Sequence, residues 1–454
     1  MKLRQISLGL FAAAALAACD SPLDTNPTAS IPAGEALDTP EEIRVAVNGM
    51  YDAYSAGDFD RNLLIFPDLY ADNFGFQDTY TSDEEVSIRT IRSTNTGTRD
   101  LWQVPYIAIN RANNVLAALD KVQGLSTAEA KQYRGEALFV RGHMYFVLAE
   151  FFGGVPLVTT PTTVVGSANN IARSTEAQTY TQAESDLRAA QPLLLNNDEG
   201  SHGRATWGAV TALLARVNLY NRDWADARTF AAQVINSHEY ELVENFGDIW
   251  DEQNTEESIF ELQYTVNDPG PFAGWFLPDD EGGRGSFVAL NALRLSFGAT
   301  SAQRNADQRY LVSFLGGSQY IGKYFRIDNG DDNYVMLRLA EMYLIRSEAE
   351  ARLGGNLAQA RADIDIVRER AGLDPLDPVA VASAQQVLRA NLAERRREFV
   401  AEGHRFFDLR RFRDVLPEIA TTVTNLYRAD FRLYFPIPQV EIDANPQLSQ
   451  NPGY

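Results

Sequence analysis

The chain has 454 residues, 45% of them hydrophobic and 11% aromatic, which is enough to bury a large core. Its formal net charge of −21 at pH 7 repels nucleic acid and anionic lipid headgroups at long range, which argues against both as partners. The single cysteine, Cys19, excludes an intrachain disulfide.

The N-terminus has the pattern of a bacterial lipoprotein signal. Lys2 and Arg4 form a basic start, and residues 6–18 are almost wholly apolar. A membrane-spanning helix needs about 20 apolar residues, so this shorter run predicts a cleaved export signal over residues 1–18. The run ends in Leu-Ala-Ala-Cys, and Cys19 is therefore predicted to be lipidated. Each buried acyl CH₂ adds ~0.8 kcal/mol of membrane affinity, which predicts a lipid-anchored protein.

A proline-rich polar stretch, residues 19–38, follows the signal and predicts a flexible tether that holds the folded body away from the bilayer. The body is predicted to begin with a helix. Thr39 and Glu42 have the spacing of a capping box, and Pro40 suits the first helical position.

Helical periodicity dominates the first half of the body. In the helix that contains Trp102 and Tyr106, the spacing of the two rings favours core packing for Trp102 over ligand contact. A long helix is predicted to open at a second capping box, formed by Ser126 and Glu129, and to stop at Gly153-Gly154.

Two later segments are predicted to form helix pairs. Residues 207–235 indicate a helix, an Asn-Arg-Asp turn and a second helix, and residues 334–372 indicate another pair, broken at Gly354-Gly355-Asn356. Small residues at the crossing positions resemble those of tetratricopeptide hairpins, although the full repeat consensus is not present. The predicted fold class is therefore mainly α, with tetratricopeptide-like helix hairpins.

Two loop-like stretches, residues 66–85 and about 264–330, carry aromatic rings beside Asn, Asp and Arg. Loops of this kind commonly carry function. Sugars stack on aromatic rings and hydrogen-bond to planar polar side chains, and short hydrophobic peptides use the same groups. Each ring also has a plainer interpretation, in which it pins its loop onto the body. The candidate ligand residues are Asp72, Asn73, Phe76, Tyr80, Trp275, Phe276 and Arg284.

The segment ERRREFVAEGHRFFDLRRFR, residues 394–413, contains seven arginines and one of the four histidines. Taken as one helix, it has three glutamates in an i, i+4 stripe and pairs each of three acids with an arginine at i, i+3. Its glycine would allow a close helix approach, and its histidine lies four residues before an aspartate that can hold it. A structural role is predicted for Glu398, Glu402, Gly403, His404, Arg405 and Asp408.

Catalytic chemistry has no recognisable arrangement in this sequence. The four histidines lack metal-binding spacing, no glycine-rich phosphate loop follows a strand, and lipidation would consume the only thiol. Carboxylate pairs for glycoside hydrolysis can always be drawn among 61 acidic residues, so they decide nothing. The sequence predicts a protein that is not an enzyme and uses no metal or cofactor.

Several segments, in order along the chain, resemble the SusD/RagB family of outer-membrane nutrient-binding lipoproteins. The most specific are the arginine-rich segment, with its Glu-Gly-His-Arg centre, and the C-terminal YFPIPQVEIDANPQLSQNPGY. The segments LWQVPYIAINRAN, GEALFVRGHMYFVLAEFFGGVPLV and LRLAEMYLIRSEAEARLGG add to the resemblance. With the lipoprotein signal, they span essentially the whole chain.

The resemblance implies a single body over residues 39–454, in which helix pairs support a loop-rich ligand-binding face. It also implies a SusC-type TonB-dependent barrel as partner, on an outer membrane whose exterior this protein faces. The implied function is the non-catalytic capture of oligosaccharides for import. Three alternatives stay open: a peptide-binding member of the family, a surface glycosidase, and a lid whose loops contact only the barrel.

Overall fold

A computed structural model of the protein describes residues 37–162, 170–195 and 202–454. The predicted signal peptide, Cys19 and the tether up to residue 36 lie outside the described residues and remain predictions. Within the described ranges, no helix has both the length and the apolar composition needed to cross a membrane.

The described residues form a mainly α-helical body, as the sequence predicts. The helices are α1 (Pro40–Asp52), α2 (Phe59–Tyr70), α3 (Thr81–Ser87), α4 (Thr96–Leu119), α5 (Thr127–Phe152), α6 (Glu176–Ala190), α7 (Trp207–Tyr220), α8 (Trp224–Ser237), α9 (Asp248–Asp251), α10 (Phe272–Phe276), α11 (Asn291–Leu295), α12 (Ser301–Asn305), α13 (Gln308–Ser313), α14 (Leu339–Arg352), α15 (Leu357–Arg370), α16 (Ala384–Glu398), α17 (Arg405–Phe412), α18 (Pro417–Tyr427) and α19 (Gln439–Ala444). The strands are β1 (Phe74–Phe76), β2 (Ser258–Leu262), β3 (Phe287–Ala289) and β4 (Tyr334–Arg338). Two antiparallel pairs form, β1 with β3 and β2 with β4.

Both predicted capping boxes are confirmed. The Thr39 hydroxyl accepts a hydrogen bond from the amide of Glu42, whose carboxylate accepts one in return from the amide of Thr39. Ser126 and Glu129 make the same reciprocal pair at the start of α5. Each box satisfies amide donors that a helix N-terminus leaves without an intrahelical partner.

The predicted helix pairs are present, and one of them starts later than expected. Helices α7 and α8 form one hairpin and α14 and α15 form another, and α8 packs against α14. The prediction that residues 334–338 are helical is wrong, since they form β4, whose five residues are all buried and pair with β2. A short, continuously buried apolar run suits a covered strand as well as a helix, and only the pairing decides between them.

The prediction of one helix over residues 394–413 is also wrong. Helix α16 ends at Glu398, and α17 begins at Arg405 after a turn in which Ala401 and Gly403 have φ angles of 58° and 80°. The predicted close approach at Gly403 is found, because a Cβ there would lie 2.7 Å from the carbonyl oxygen of Leu63 in α2. The left-handed backbone and the short distance both favour glycine at this position.

A buried network of ion pairs surrounds this turn. The Glu398 carboxylate accepts hydrogen bonds from Arg309 at 3.0 Å and Arg338 at 2.6 Å, and also pairs with Arg370. Glu402 pairs with Lys323 at 2.6 Å and with Arg338 at 2.8 Å. The side chains in these pairs are at most 4% exposed.

Two of the three predicted i, i+3 ion pairs form. Glu394–Arg397 forms at 2.6 Å and Asp408–Arg411 at 2.9 Å, as predicted. The predicted Glu402–Arg405 pair does not form, because the helix break separates the two side chains and Arg405 instead pairs with Asp72 at 2.7 Å. Burial alone would raise the pKa of Glu394, but Arg309, Arg397 and Arg368 lower it to about 2.

His404 is held differently from the prediction. Its Nδ1 lies 3.3 Å from a guanidinium nitrogen of Arg395, while the Asp408 carboxylate binds Arg395 at 2.9 Å instead of the imidazole ring. Burial and the surrounding guanidinium groups lower the pKa of His404 well below its usual value. The ring is therefore neutral at pH 7 and serves as a packed core group.

Asp68 provides a pH-dependent test of this core. Its carboxylate is fully buried, and burial raises its pKa to about 7 against the hydrogen bond from Asn73. Because the folded state holds this proton more tightly than the unfolded chain, whose Asp pKa is about 3.9, the associated stability is full below pH ~3.9 and is lost as the pH rises through about 7.

We therefore expect the free energy of unfolding of the wild type to fall, relative to that of Asp68→Asn, by roughly 2–3 kcal/mol between pH 5 and pH 8. Urea unfolding at the two pH values measures this difference, and the exposed Asp120→Asn serves as the control. A wild-type-minus-variant difference that is the same at both pH values would contradict the prediction.

Candidate functional site

The β1–β3 pair joins the two predicted loop stretches. Phe76 lies opposite Phe287 in this antiparallel ladder. Beyond it, the Gln77 side chain donates to the carbonyl oxygen of Gly285 at 2.8 Å, and the Ser286 hydroxyl donates to the Asp78 carboxylate at 2.6 Å. Segments about 200 residues apart in the sequence are thereby fixed side by side.

This junction brings together Tyr80, Trp275 and Arg284, which we call the surface cluster. The Tyr80 and Trp275 rings meet edge to face, with centroids 5.3 Å apart. The Arg284 guanidinium lies 4.9 Å from the Trp275 ring centroid and 5.4 Å from that of Tyr80, and it donates a hydrogen bond to the Tyr80 hydroxyl. Tyr80 and Arg284 are exposed and Trp275 is half-buried, so the surface cluster is an open platform.

A buried cation supports the platform. The Arg61 guanidinium, from the first turn of α2, lies 4.1 Å from the Trp275 ring centroid and pairs with the buried Asp83. Stacking of guanidinium on indole is favourable and strengthens when the charge is desolvated. Arg61 and Asp83 were not predicted as site residues. The sequence signal for Arg61 was the Asp60-Arg61 pair at the start of a helix rich in apolar residues, where a buried charge requires a partner.

Asp78 and Asp60, two carboxylates near the surface cluster, have pKa values that are shifted in opposite directions. The hydrogen bond from Ser286 lowers the pKa of the Asp78 carboxyl below its usual value, so this group stays ionised beside Arg284. Burial raises the pKa of Asp60 to about 6, against the hydrogen bond that Tyr264 donates to it. Only the first of these groups lies where it can act as an acceptor for a ligand.

The remaining candidate residues are engaged in the body of the protein. Asn73 is 1% exposed, donates to Asp68 and accepts from Arg396 at 2.9 Å. Phe276 is fully buried and stacks on Tyr324. In this conformation both side chains are buried, and a ligand contact by either of them stays a prediction.

Asp72 and Phe76 lie at the edge of the same region. Asp72 is paired with Arg405, and although burial opposes the effect, Arg405 and Arg396 lower its pKa below the usual value. Phe76 packs against Phe287, with ring centroids 5.5 Å apart. Both residues order the loop that carries Tyr80. The Asp72 carboxylate and the Phe76 ring are therefore in contact with neighbouring side chains of the protein.

A separate cleft of about 440 Å³ lies between α4 and α19 and includes Trp102, Tyr106 and Glu441 in its lining. Trp102 is only 2% exposed and packs edge to face on Phe152, which confirms the prediction that it belongs to the core. No residue of either aromatic loop stretch lines this cleft. The surface cluster therefore remains the stronger candidate for ligand contact.

Within the three described ranges, no group of three or more His, Cys, Asp or Glu side chains is arranged to hold a metal ion. The surface cluster presents two aromatic rings, a guanidinium and a nearby carboxylate. Such a set can stack on a ligand and hydrogen-bond to it.

Two family models match the chain. One, described as "Starch-binding associating with outer membrane", matches residues 22–219, and the other, described as "SusD family", matches residues 298–454. The segment between the two matches contains Trp275 and Arg284. Two of the three residues of the surface cluster therefore lie outside both matched regions.

The chain is also similar from end to end to individual proteins. A SusD-like protein of Formosa agariphila is 24% identical, with 100% of each chain covered. The crystal structure of a SusD superfamily protein from Bacteroides vulgatus has a TM-score of 0.80 at 24% identity, over 91% of this chain and 99% of that one. A laminarin-binding SusD-like protein has a TM-score of 0.78 at 26% identity, over 92% of this chain and 100% of that one.

Proposed function

The chain belongs to the SusD/RagB family, and from that premise we propose that it is a non-catalytic binder of oligosaccharide nutrients. The observation that carries this proposal is the surface cluster, in which Tyr80, Trp275 and Arg284 are held together by two separate loops. The laminarin-binding relative and the starch-binding description of one family model support the choice of a glycan as ligand.

The chemistry of the surface cluster suits a sugar chain. A pyranose ring has an apolar C–H face that packs on an indole or phenol ring, while its hydroxyls need hydrogen-bond partners at the edge. Trp275 and Tyr80 supply the rings, and Arg284 and Asp78 supply a donor and an acceptor beside them. An open platform also admits an internal stretch of a long polymer, which an enclosed pocket would exclude.

A lipid anchor holds the mature protein at the outer membrane. Residues 1–18 act as a lipoprotein signal, Cys19 carries the lipid, and residues 19–38 tether the body, residues 39–454, to the outer membrane, facing the cell exterior. The protein passes its ligand to a SusC-type TonB-dependent barrel. Co-purification of the lipid-modified protein with such a barrel tests this arrangement, and a protein that is neither lipidated nor recovered with a barrel would contradict it.

Calorimetric titration of the full-length protein with laminarin and starch oligosaccharides, and with a matched set of short peptides, tests the ligand class. We expect saturable binding to at least one glycan and none to the peptides. Tight peptide binding with no response to any glycan would replace the proposal with the peptide-binding alternative. Release of shorter products from a bound glycan would instead favour the glycosidase.

A further inference from the structure

A second polar cavity, of about 230 Å³, lies beside the C-terminal half of α17 and shares no lining residue with the surface cluster. It takes in the end of the arginine-rich segment, whose charge the proposed glycan site does not use. The cavity lining carries four arginines and two acidic residues, in a chain whose net charge is −21. Its charged lining residues are Glu176, Arg222, Arg410, Arg411, Arg413 and Asp430.

The two deeper arginines are committed to internal partners. Arg410 pairs with Glu150 at 2.5 Å and also donates to the backbone carbonyl oxygens of Glu150 and Leu433. Arg411 pairs with Asp408 at 2.9 Å. Arg411 also pairs with Glu348, and these contacts fix both guanidinium groups at the cavity wall.

The two arginines at the mouth are held loosely. Arg413 pairs at 2.9 Å with Asp430, whose side chain is 88% exposed. Arg222 pairs at 2.6 Å with Asp414, and these two side chains are 55% and 40% exposed. Solvent-exposed ion pairs contribute little to stability. An anion from solution can therefore replace either carboxylate at small cost.

The backbone conformation of Arg222 is a second observation that points to a functional role for its side chain. Arg222 lies in the turn between α7 and α8 with a φ angle of 67°, in the left-handed region. Glycine and asparagine adopt this conformation readily, whereas a long side chain adopts it at an energetic cost. A strained non-glycine residue that lines a cavity points to a functional role for that residue.

We infer that this cavity binds a phosphate-type tetrahedral oxyanion, held by the exchangeable guanidinium groups of Arg222 and Arg413. A guanidinium presents parallel N–H donors that match two oxygens of such an anion. Arg410 also lines the cavity and keeps its own partners. The same chemistry is offered by free phosphate and by the phosphate of a lipid headgroup.

Calorimetric titration of the full-length protein with inorganic phosphate at low ionic strength tests the inference. Arg222→Asn keeps a residue that tolerates the left-handed turn, and Arg413→Gln keeps a polar side chain with the same Cβ–Cγ–Cδ stem but no charge. Each is expected to weaken phosphate binding at least about fivefold, since each removes one charge-assisted donor pair. Asp430→Asn is expected to strengthen binding, because it removes the competing carboxylate.

Two control variants test whether a loss of phosphate binding is specific to this cavity. Arg389→Gln removes an exposed arginine that pairs with Glu418 elsewhere on the surface, and it should leave phosphate binding unchanged. Trp275→Ala should also leave it unchanged, so the result is independent of the glycan proposal. The inference is overturned if phosphate does not saturate the protein, or if Arg389→Gln weakens binding as much as Arg222→Asn and Arg413→Gln do.

The source of the anion is resolved by vesicle sedimentation. Vesicles that contain phosphatidylglycerol are compared with pure phosphatidylcholine, using the wild type, Arg222→Asn and Arg413→Gln. Loss of phosphatidylglycerol binding in both variants supports a lipid headgroup as ligand. Phosphate binding by calorimetry, with vesicle binding that the variants do not change, supports a free anion.

Discussion

Replacing Glu398 by glutamine is expected to lower the free energy of unfolding by about 3–5 kcal/mol, the usual cost of removing one member of a buried ion pair. The Glu398 carboxylate is the shared partner of Arg309, Arg338 and Arg370, and all four side chains are at most 4% exposed. Glutamine keeps the shape but removes the charge. Three guanidinium groups would then lose an anion that compensates for their burial.

Urea unfolding is the appropriate measurement, because urea, unlike guanidinium chloride, leaves ionic interactions unscreened. The matched control is Glu418→Gln, which removes the carboxylate of an exposed pair with Arg389 and should leave the unfolding midpoint unchanged. If Glu398→Gln unfolded at the same urea concentration as the wild type, the network would not contribute to stability in the way that its geometry indicates.

Replacing Trp275 by alanine is expected to weaken glycan binding by on the order of 1–3 kcal/mol, or roughly 5- to 150-fold in Kd. The variant removes the central ring of the surface cluster and leaves the Arg61–Asp83 pair beneath it in place. Trp275→Phe keeps a ring in contact with Tyr80 and should recover part of the affinity. Calorimetry with the glycan that the wild type binds measures the effect.

The control for Trp275→Ala is Trp224→Ala. Trp224 is also half-buried and also has an arginine over its ring, Arg352 at 4.7 Å, but it lies in the α7–α8 hairpin. Glycan affinity should be unchanged in this variant. Equal losses in the two variants would indicate general damage to the fold, and unchanged affinity in Trp275→Ala would place the glycan elsewhere on the molecule.

Features that depend on neighbouring residues were predictable from the sequence. The capping boxes at Thr39 and Ser126 and the α7–α8 hairpin follow from spacings within a few residues, and the structure confirms them. The break after Glu398 was not predictable in the same way, because no proline marks it. It is fixed by the approach of Gly403 to Leu63 and by the arginines that bind Glu398 and Glu402.

The candidate site was predictable at the level of loops, and only in part at the level of residues. Aromatic and polar composition identified both loops, and Tyr80, Trp275 and Arg284 do meet. Composition could not distinguish an exposed ring from a buried one, so Phe276 looked equivalent to Trp275. Arg61, which supports the tryptophan, is 214 residues away in sequence, and only the tertiary structure brings the two together.

The wide separation of the two halves of the surface cluster has a consequence for how the protein matures. Tyr80 and Arg284 are 204 residues apart in the chain, and their hydrogen bond closes the intervening loop. Contacts of such long range carry a loop-closure entropy that local helices do not, and they form late in folding. During synthesis, the early hairpins can form before residue 284 has been added to the chain. The surface cluster is therefore complete only after both distant segments have been made, and a chain that ends before residue 284 lacks it.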